Sequence, residues 1–359
     1  MKIVIFGLSI SSSWGNGHAT LWRALCGALI RRGHQVHFFE RDVHYYANHR
    51  DLKSVPGGHL HLYPSWEAVS AHAAAQLADA DVAIVTSYCP DALAAADLVH
   101  DAGVGLSCFY DLDTPVTLSR LESGQPVDYI GPRGLRDFDL VLSYTGGKAL
   151  SQLQSRLGAR RVEPLYGSVD PDHYFPVIPQ ERFKADLSYL GTYAEDRQAS
   201  LEQLFVEPAR TLPDRRFVIG GAMYPGEFPW TRNIFFVRHL PPPEHPAFYC
   251  SSRLTLNVTR RAMADMGYCP SGRLFEAAAC GVAILTDSWE GLDQFFQPGS
   301  EILIAQNALD AVECVKLTDS ELAKIARRAR ERTLDCHTAE IRALDFENAV
   351  AARSVVCGA

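Results

Sequence analysis

The 359-residue sequence has no uninterrupted apolar run near the roughly 20 residues that a bilayer-spanning helix needs, so no transmembrane segment is expected. The opening apolar stretch, Lys2 to Phe6, runs straight into a glycine- and serine-rich loop and is too short for the hydrophobic region of a secretory signal. A CxxC pair is also absent. The nine cysteines are scattered singly from Cys26 to Cys357, which argues against a disulfide frame or a zinc site and reads as reduced core thiols of a cytoplasmic protein. Positive charge is scarce as well: 34 Lys and Arg against 42 Asp and Glu leave a formal net charge of -8, which argues against a nucleic-acid partner. The one basic cluster, Arg327, Arg328, Arg330 and Arg332, falls in a helical stretch and reads as a solvated face.

What is present is the composition and rhythm of a soluble α/β protein. The length exceeds what one hydrophobic core fills, so two domains of similar size are expected. Short β-branched runs (Lys2 to Phe6, Gln35 to Phe39, Val82 to Val85, Gly105 to Phe109, Leu140 to Ser143) alternate with helical stretches such as Ala19 to Arg32, Ala92 to Asp101 and Lys148 to Leu157. Such alternation implies a parallel sheet covered on both faces. Between Gly167 and Pro179 three prolines interrupt the pattern, and the linker is placed there. Alternation restarts with Leu187 to Leu190, Arg216 to Ile219, Ile234 to Val237 and Leu254 to Asn257, then the helix Arg273 to Cys280 and the strand Val282 to Thr286. The expected domains are therefore 1–168 and 169–335, with a C-terminal helix over 336–359 that packs back on the first domain.

Ligands of such sheets bind at the carboxyl ends of the strands, where four loops stand out. Gly15-Asn16-Gly17-His18 leads into the first helix; its glycines admit close approach of a ligand, or it is simply a flexible turn. It is not the GxGxxG fingerprint, although Glu40 ends the second strand where a dinucleotide ribose would be held. Tyr110-Asp111-Leu112-Asp113-Thr114-Pro115 places two carboxylates and a hydroxyl at a strand end, suited to a sugar hydroxyl or a reacting base, or equally to an Asx-turn. Gly191-Thr192-Tyr193 followed by Asp196-Arg197 suits a diphosphate or a plain surface arginine. In the fourth loop Ser271 caps a short helix that Gly281 ends, and Glu276 sits among small apolar residues. There a carboxylate is costly without a partner, which a ribose or Arg273 one turn earlier could supply.

The run Arg273-Leu274-Phe275-Glu276-Ala277-Ala278-Ala279-Cys280-Gly281 resembles the donor-binding signature of GT-B glycosyltransferases. With Gly-Tyr-Cys-Pro-Ser before it and Trp289-Glu290-Gly291-Leu292 after it, the region is most similar to the spore-maturation-protein (CgeB-like) group. Gly167, Val169, Asp170, Phe175 and Pro176 are similar to the interdomain segment of such enzymes, and Gly-Asn-Gly-His with Arg32-Gly33-His34-Gln35-Val36 to their N-terminal opening. The resemblance implies two Rossmann-like domains facing a cleft, with transfer of a sugar from a nucleoside diphosphate sugar to an unidentified small-molecule, glycan or protein acceptor. No metal and no cofactor beyond that co-substrate are expected.

On this reading Glu276 binds ribose; Arg197, Arg260 and the helix start at Ser271 take the diphosphate; and Gly272, Arg273, Gly191, Thr192 and Tyr268 complete the donor site. Gly15, Asn16, Gly17, Asp111 and Thr114 contact the acceptor, with His18 as general base and Asp113 orienting it. One departure stands out: retaining members carry an acid eight positions before the ribose-binding one, and here that position is Tyr268, with Asp265 the nearest acid. Rival readings are a sugar-nucleotide 2-epimerase and a non-catalytic GT-B-like binding subunit.

Overall fold

The computed structural model describes residues 1–352; Cys357 and the end of the expected C-terminal helix lie outside the described residues. The chain divides into two compact units, one built from Met1–Gly167 and the chain from Ala339 onward, the other from Ser168–Thr338. In the first unit, β1 (Lys2–Gly7), β2 (Gln35–Arg41), β3 (His59–Tyr63), β4 (Val82–Thr86), β5 (Leu106–Asp111), β6 (Leu140–Ser143) and β7 (Val162–Pro164) pair in the order β3-β2-β1-β4-β5-β6-β7, all parallel. In the second, β8 (Ala185–Leu190), β9 (Phe217–Gly221), β10 (Ile234–Arg238), β11 (Ser252–Asn257), β12 (Ala283–Thr286) and β13 (Leu303–Ile304) pair in the order β10-β9-β8-β11-β12-β13, again all parallel.

The unbroken apolar run of β1 is explained by burial on both sheet faces. Ile3 and Ile5 join one core with Trp22 and Phe38, while Val4 and Phe6 join another with Phe39 and Val85. Helix Ala339–Ala351 completes the first of these cores with Ala339, Ala343 and Phe346, and is fastened outside it by Arg31 on Glu340 and Arg32 on Glu347 (both 2.6 Å). The chain enters and leaves the second unit side by side, since Val169 N donates to His337 O at 3.0 Å. Among the described residues no helix is long and apolar enough to cross a membrane.

Two sequence expectations need correcting. Arg327 and Arg328 are exposed, but Arg330 donates to Ala279 O at 3.0 Å and Arg332 to Gln294 O at 3.0 Å, so half of the basic cluster fastens its helix to carbonyls nearby. Strand β3 and helix Trp66–Leu77 escape the sequence patterns because β3 is a half-exposed edge strand, His-Leu-His-Leu-Tyr, and the helix is alanine-rich with weak apolar periodicity.

That edge carries a histidine chain. His37 Nδ1 lies 3.0 Å from His61 Nε2, His61 Nδ1 lies 3.1 Å from His72 Nε2, and the His37 and His59 rings stack at 4.4 Å. Burial, then the neighbouring imidazoles, push both His37 and His61 down to about 4; Lys2 acts on His37 in the same sense and Asp79 opposes it. A depressed imidazole pKa means that the unfolded chain takes up protons before the folded one does. The stabilisation is complete above pH 6.5 and is lost as pH falls toward 4. Thermal melts over that window should show a steep loss in the wild type and a shallower one in His61→Phe, which keeps the stack without the titration. Equal slopes would show that the chain does not govern acid stability.

Candidate functional site

In each sheet the strand order reverses once, between β1 and β4 in the first and between β8 and β11 in the second, the points at which ligands of such sheets bind. In the first unit the loop after β1 is held from below by Glu40 at the end of β2. Its buried carboxylate accepts from Ser9 Oγ (3.0 Å), Ile10 N (2.8 Å), Ser11 N (2.9 Å) and Ser11 Oγ (2.6 Å). Glu40 is thereby committed to the loop itself, which removes the basis for a dinucleotide reading.

Asn16 caps helix Gly17–Arg31 by accepting from His18 N at 3.0 Å, and its amide nitrogen reaches Ser12 O at 3.3 Å, so its side chain serves the turn. Gly15 (φ 58°) and Gly17 remain exposed beside it. The turn delivers His18 to Asp113: His18 Nε2 stands 3.0 Å from Asp113 Oδ2, although the two residues are 95 positions apart. The other ring nitrogen, Nδ1, is buried with no hydrogen-bonding partner. Asp111 and Thr114, by contrast, are wholly enclosed. Asp111 Oδ1 accepts from Asp113 N and Thr117 Oγ1 (both 3.1 Å), and Thr114 Oγ1 bonds Ser143 Oγ at 2.7 Å. Burial raises the Asp111 carboxyl to about 6, against the pull of these donors. Both residues shape the Asp113 loop from inside and present no surface to an acceptor.

Tyr88, at the end of β4, is a neighbour that the sequence patterns miss. Its ring lies 5.7 Å from His18 and 5.0 Å from Tyr129, and its backbone is left-handed (φ 62°), a strain of about 1–2 kcal/mol for a non-glycine residue. No sequence rule reveals it, because tyrosine gives no signal for that conformation.

In the second unit Gly191 follows β8 where a side chain has no room: a Cβ would stand 2.5 Å from Arg273 Nη1 and 2.8 Å from Tyr189 Oη. Arg273 donates to Leu190 O at 2.7 Å and to Ser271 Oγ at 3.3 Å. Ser271 occupies the N-cap position of helix Gly272–Ala279, but its hydroxyl takes this guanidinium in place of a backbone N–H, correcting the expected cap. Leu274 N donates to Ser271 O at 3.0 Å, and the N–H groups of Gly272 and Arg273 are left to a ligand or water. Arg197 donates to Thr192 O at 2.8 Å, while its Nε is buried and unpartnered. Its pKa is lowered first by burial and then by the charge of Arg273. Arg260, past the end of β11, pairs with Asp196 at 2.8 Å. Asp287, just past β12, steadies that loop by accepting from Thr259 N at 3.0 Å. Tyr268 (φ 48°) lies against Gly291, its N donating to Glu290 O at 2.7 Å.

Glu276 is buried, and burial lifts its carboxyl to about 7 against the opposing pull of Arg273 and a Tyr174 hydrogen bond. Tyr174 OH also stands 3.2 Å from His245 Nδ1, and His245 Nε2 faces Leu240 O at 3.2 Å; burial holds that imidazole near 4, so it is neutral. Tyr249 OH is buried without a partner in the field of Glu276 and Arg273. Tyr174, His245 and Tyr249 were not among the sequence candidates, since aromatic residues in a proline-rich linker and a short helix read as packing. No group of three or more His, Cys, Asp or Glu side chains among the described residues is arranged to hold a metal ion.

Two all-parallel α/β units of this kind define the GT-B architecture of glycosyltransferases. Residues 197–348, which span most of the second unit and part of the last helix, match the family described as glycosyl transferase-like. The chain is similar in fold to sucrose-phosphate synthase from Thermosynechococcus elongatus (TM-score 0.68, 14% identity, 100% of each chain covered). It is also similar to HepE of Anabaena, solved in complex with UDP and glucose (TM-score 0.65, 12% identity, 98% of this chain and 100% of that one). A third similar structure is an alpha-glucosyltransferase in complex with UDP and a 13-mer DNA (TM-score 0.64, 12% identity, 98% and 99% covered). No curated protein matches the sequence.

Proposed function

We propose that this chain transfers a glycosyl group from a nucleoside diphosphate sugar, with UDP as the nucleotide, to a hydroxyl-bearing acceptor, and that it does so without a divalent ion. The observation that carries the reading is the pair Arg197 and Arg273. Burial and the charge of Arg273 depress Arg197 beside Gly191, neither guanidinium forms an ion pair, and Arg197 keeps a buried unpartnered Nε. Two guanidiniums held together without an ion pair call for an anion, and a diphosphate supplies two to three negative charges with oxygens spaced for guanidinium donors. The Gly272 and Arg273 N–H groups at the start of helix Gly272–Ala279 and the Arg260 side chain add to it, and Gly191 and Thr192 supply close backbone. Glu276 then accepts from the ribose hydroxyls, displacing Tyr174. UDP is favoured by the complexes of HepE and the alpha-glucosyltransferase.

During transfer these cations would stabilise charge growing on the leaving diphosphate, a role fixed dipoles and guanidiniums perform without reorganisation. The acceptor hydroxyl would be met in the first unit by His18 with Asp113. The Arg273 to Gly281 run supports placing the chain in the spore-maturation-protein group, and the free thiols of the described cysteines fit a cytoplasmic site of action.

Incubation with UDP-sugars separates this reading from its rivals. Release of UDP, faster with an acceptor, is expected. An isomerised sugar nucleotide without UDP release would instead identify an epimerase, and binding without turnover a non-catalytic subunit. Turnover should persist in excess EDTA. If chelation abolished it and magnesium or manganese restored it, Asp113 would become a ligand candidate and the donor and acceptor assignments would have to be exchanged.

A further inference from the structure

The sequence scatters its cysteines singly, but the fold of the second unit brings two of them together. Cys250 ends the short helix His245–Cys250 and Cys280 follows helix Gly272–Ala279 as its C-cap. Cys250 Sγ donates to Cys280 O at 3.3 Å and accepts from Val177 N at 3.3 Å, so the two cysteines are in contact. We propose that Cys250 and Cys280 are a reversible oxidation site, a dithiol that a peroxide converts to an intramolecular disulfide.

Three features support this. Cys250 is partly exposed, and the backbone groups its sulfur contacts, Val177 N and Phe175 O, belong to residues lining an open cavity of 780 Å³ through which a small oxidant reaches it. A thiolate at Cys250 is met by the Val177 N–H donor. Cys250 is the partly exposed sulfur and Cys280 the buried one, which divides the pair into an attacking and a resolving sulfur.

The chemistry balances with one peroxide as the named oxidant. The Cys250 thiolate attacks a peroxide oxygen, the O–O bond breaks, a sulfenic acid forms, and the departing hydroxide takes up the proton that Cys250 released, giving one water. Cys280 sulfur then attacks the sulfenic sulfur, the S–O bond breaks, and a second water leaves with the Cys280 proton. Two sulfurs lose one electron each to the peroxide. The bond would tie the end of the Glu276 helix to its neighbour, since Cys280 N donates to Glu276 O at 3.2 Å.

The test is peptide mapping by mass spectrometry of the whole protein treated with hydrogen peroxide, then alkylated under non-reducing conditions. A cross-linked pair of peptides carrying Cys250 and Cys280 is expected, with two of the nine thiols lost to titration and both recovered with dithiothreitol. Cys250→Ser, checked for folding by its melting curve, should leave Cys280 alkylatable at the same peroxide dose. The conservative Cys280→Ser should trap Cys250 as a sulfenic acid that dimedone labels. The proposal is overturned if both thiols stay alkylatable after treatment, if each couples to some other cysteine, or if dimedone labels Cys250 no faster than the other cysteines.

Discussion

Replacing His18 with alanine is expected to lower turnover about 100-fold or more while leaving donor affinity unchanged, the scale of a lost general base. The expectation rests on the Nε2 contact with Asp113 at 3.0 Å, which fixes the ring and leaves Nδ1 as the nitrogen that can receive a proton. That nitrogen is buried and has no hydrogen-bonding partner, where a buried polar atom normally has one. Asp113 would stabilise the imidazolium formed as the acceptor hydroxyl is deprotonated. Asp113→Asn should reproduce part of the loss with a shifted pH profile, because an amide holds the ring without stabilising its charge. Initial rates at saturating donor, with calorimetric donor affinity alongside, separate this from a packing role. Near-normal turnover in His18→Ala would leave the residue as structure. Inversion at the anomeric carbon, read by NMR of the product, would support the base independently, since retention needs none.

The alternation of β-branched runs and helices made both parallel sheets legible, because strands buried on both faces are continuous apolar segments. The edges were not, for the reason that His59 and His61 give: an exposed edge strand needs no apolar alternation to form. Within the site, charged and glycine residues at strand ends were readable from position alone. The meeting of His18 with Asp113 was anticipated from two strand ends of one sheet. What sequence could not weigh was burial. Asp111 and Asp113 stand two apart and look equivalent, yet one is enclosed and tied to Thr117 while the other reaches His18. Tyr88, Tyr174 and Tyr249 were invisible for a related reason, since a tyrosine in a core and a tyrosine aimed at a carboxylate have the same sequence signature. The Cys250–Cys280 pair depends on sheet order, which brings the ends of two helices together.

Replacing Glu276 with alanine should weaken donor binding by roughly 1.5–3 kcal/mol, about 10- to 150-fold, with the fold intact. The more informative variant is Glu276→Gln, because the pH dependence of the wild type carries two opposite signs. Burial raises this carboxyl from 4.5 to about 7, so the folded protein keeps its proton where the unfolded chain has lost it. The stability this confers is complete below pH 4.5 and is lost as pH rises through 7, about 3 kcal/mol at most. Ribose hydroxyls, as donors, need the ionised carboxylate, so donor affinity should instead grow from pH 6 to pH 8. A group that serves only packing would not tie rising affinity to falling stability. Calorimetric titration of UDP and thermal melts over pH 5 to 8 measure both. In Glu276→Gln the two dependences should flatten together, with melting above the wild type at pH 8 and affinity below it. A variant whose UDP affinity equals that of the wild type at pH 8 would remove Glu276 from the donor site, and the raised carboxyl would then belong to the core alone.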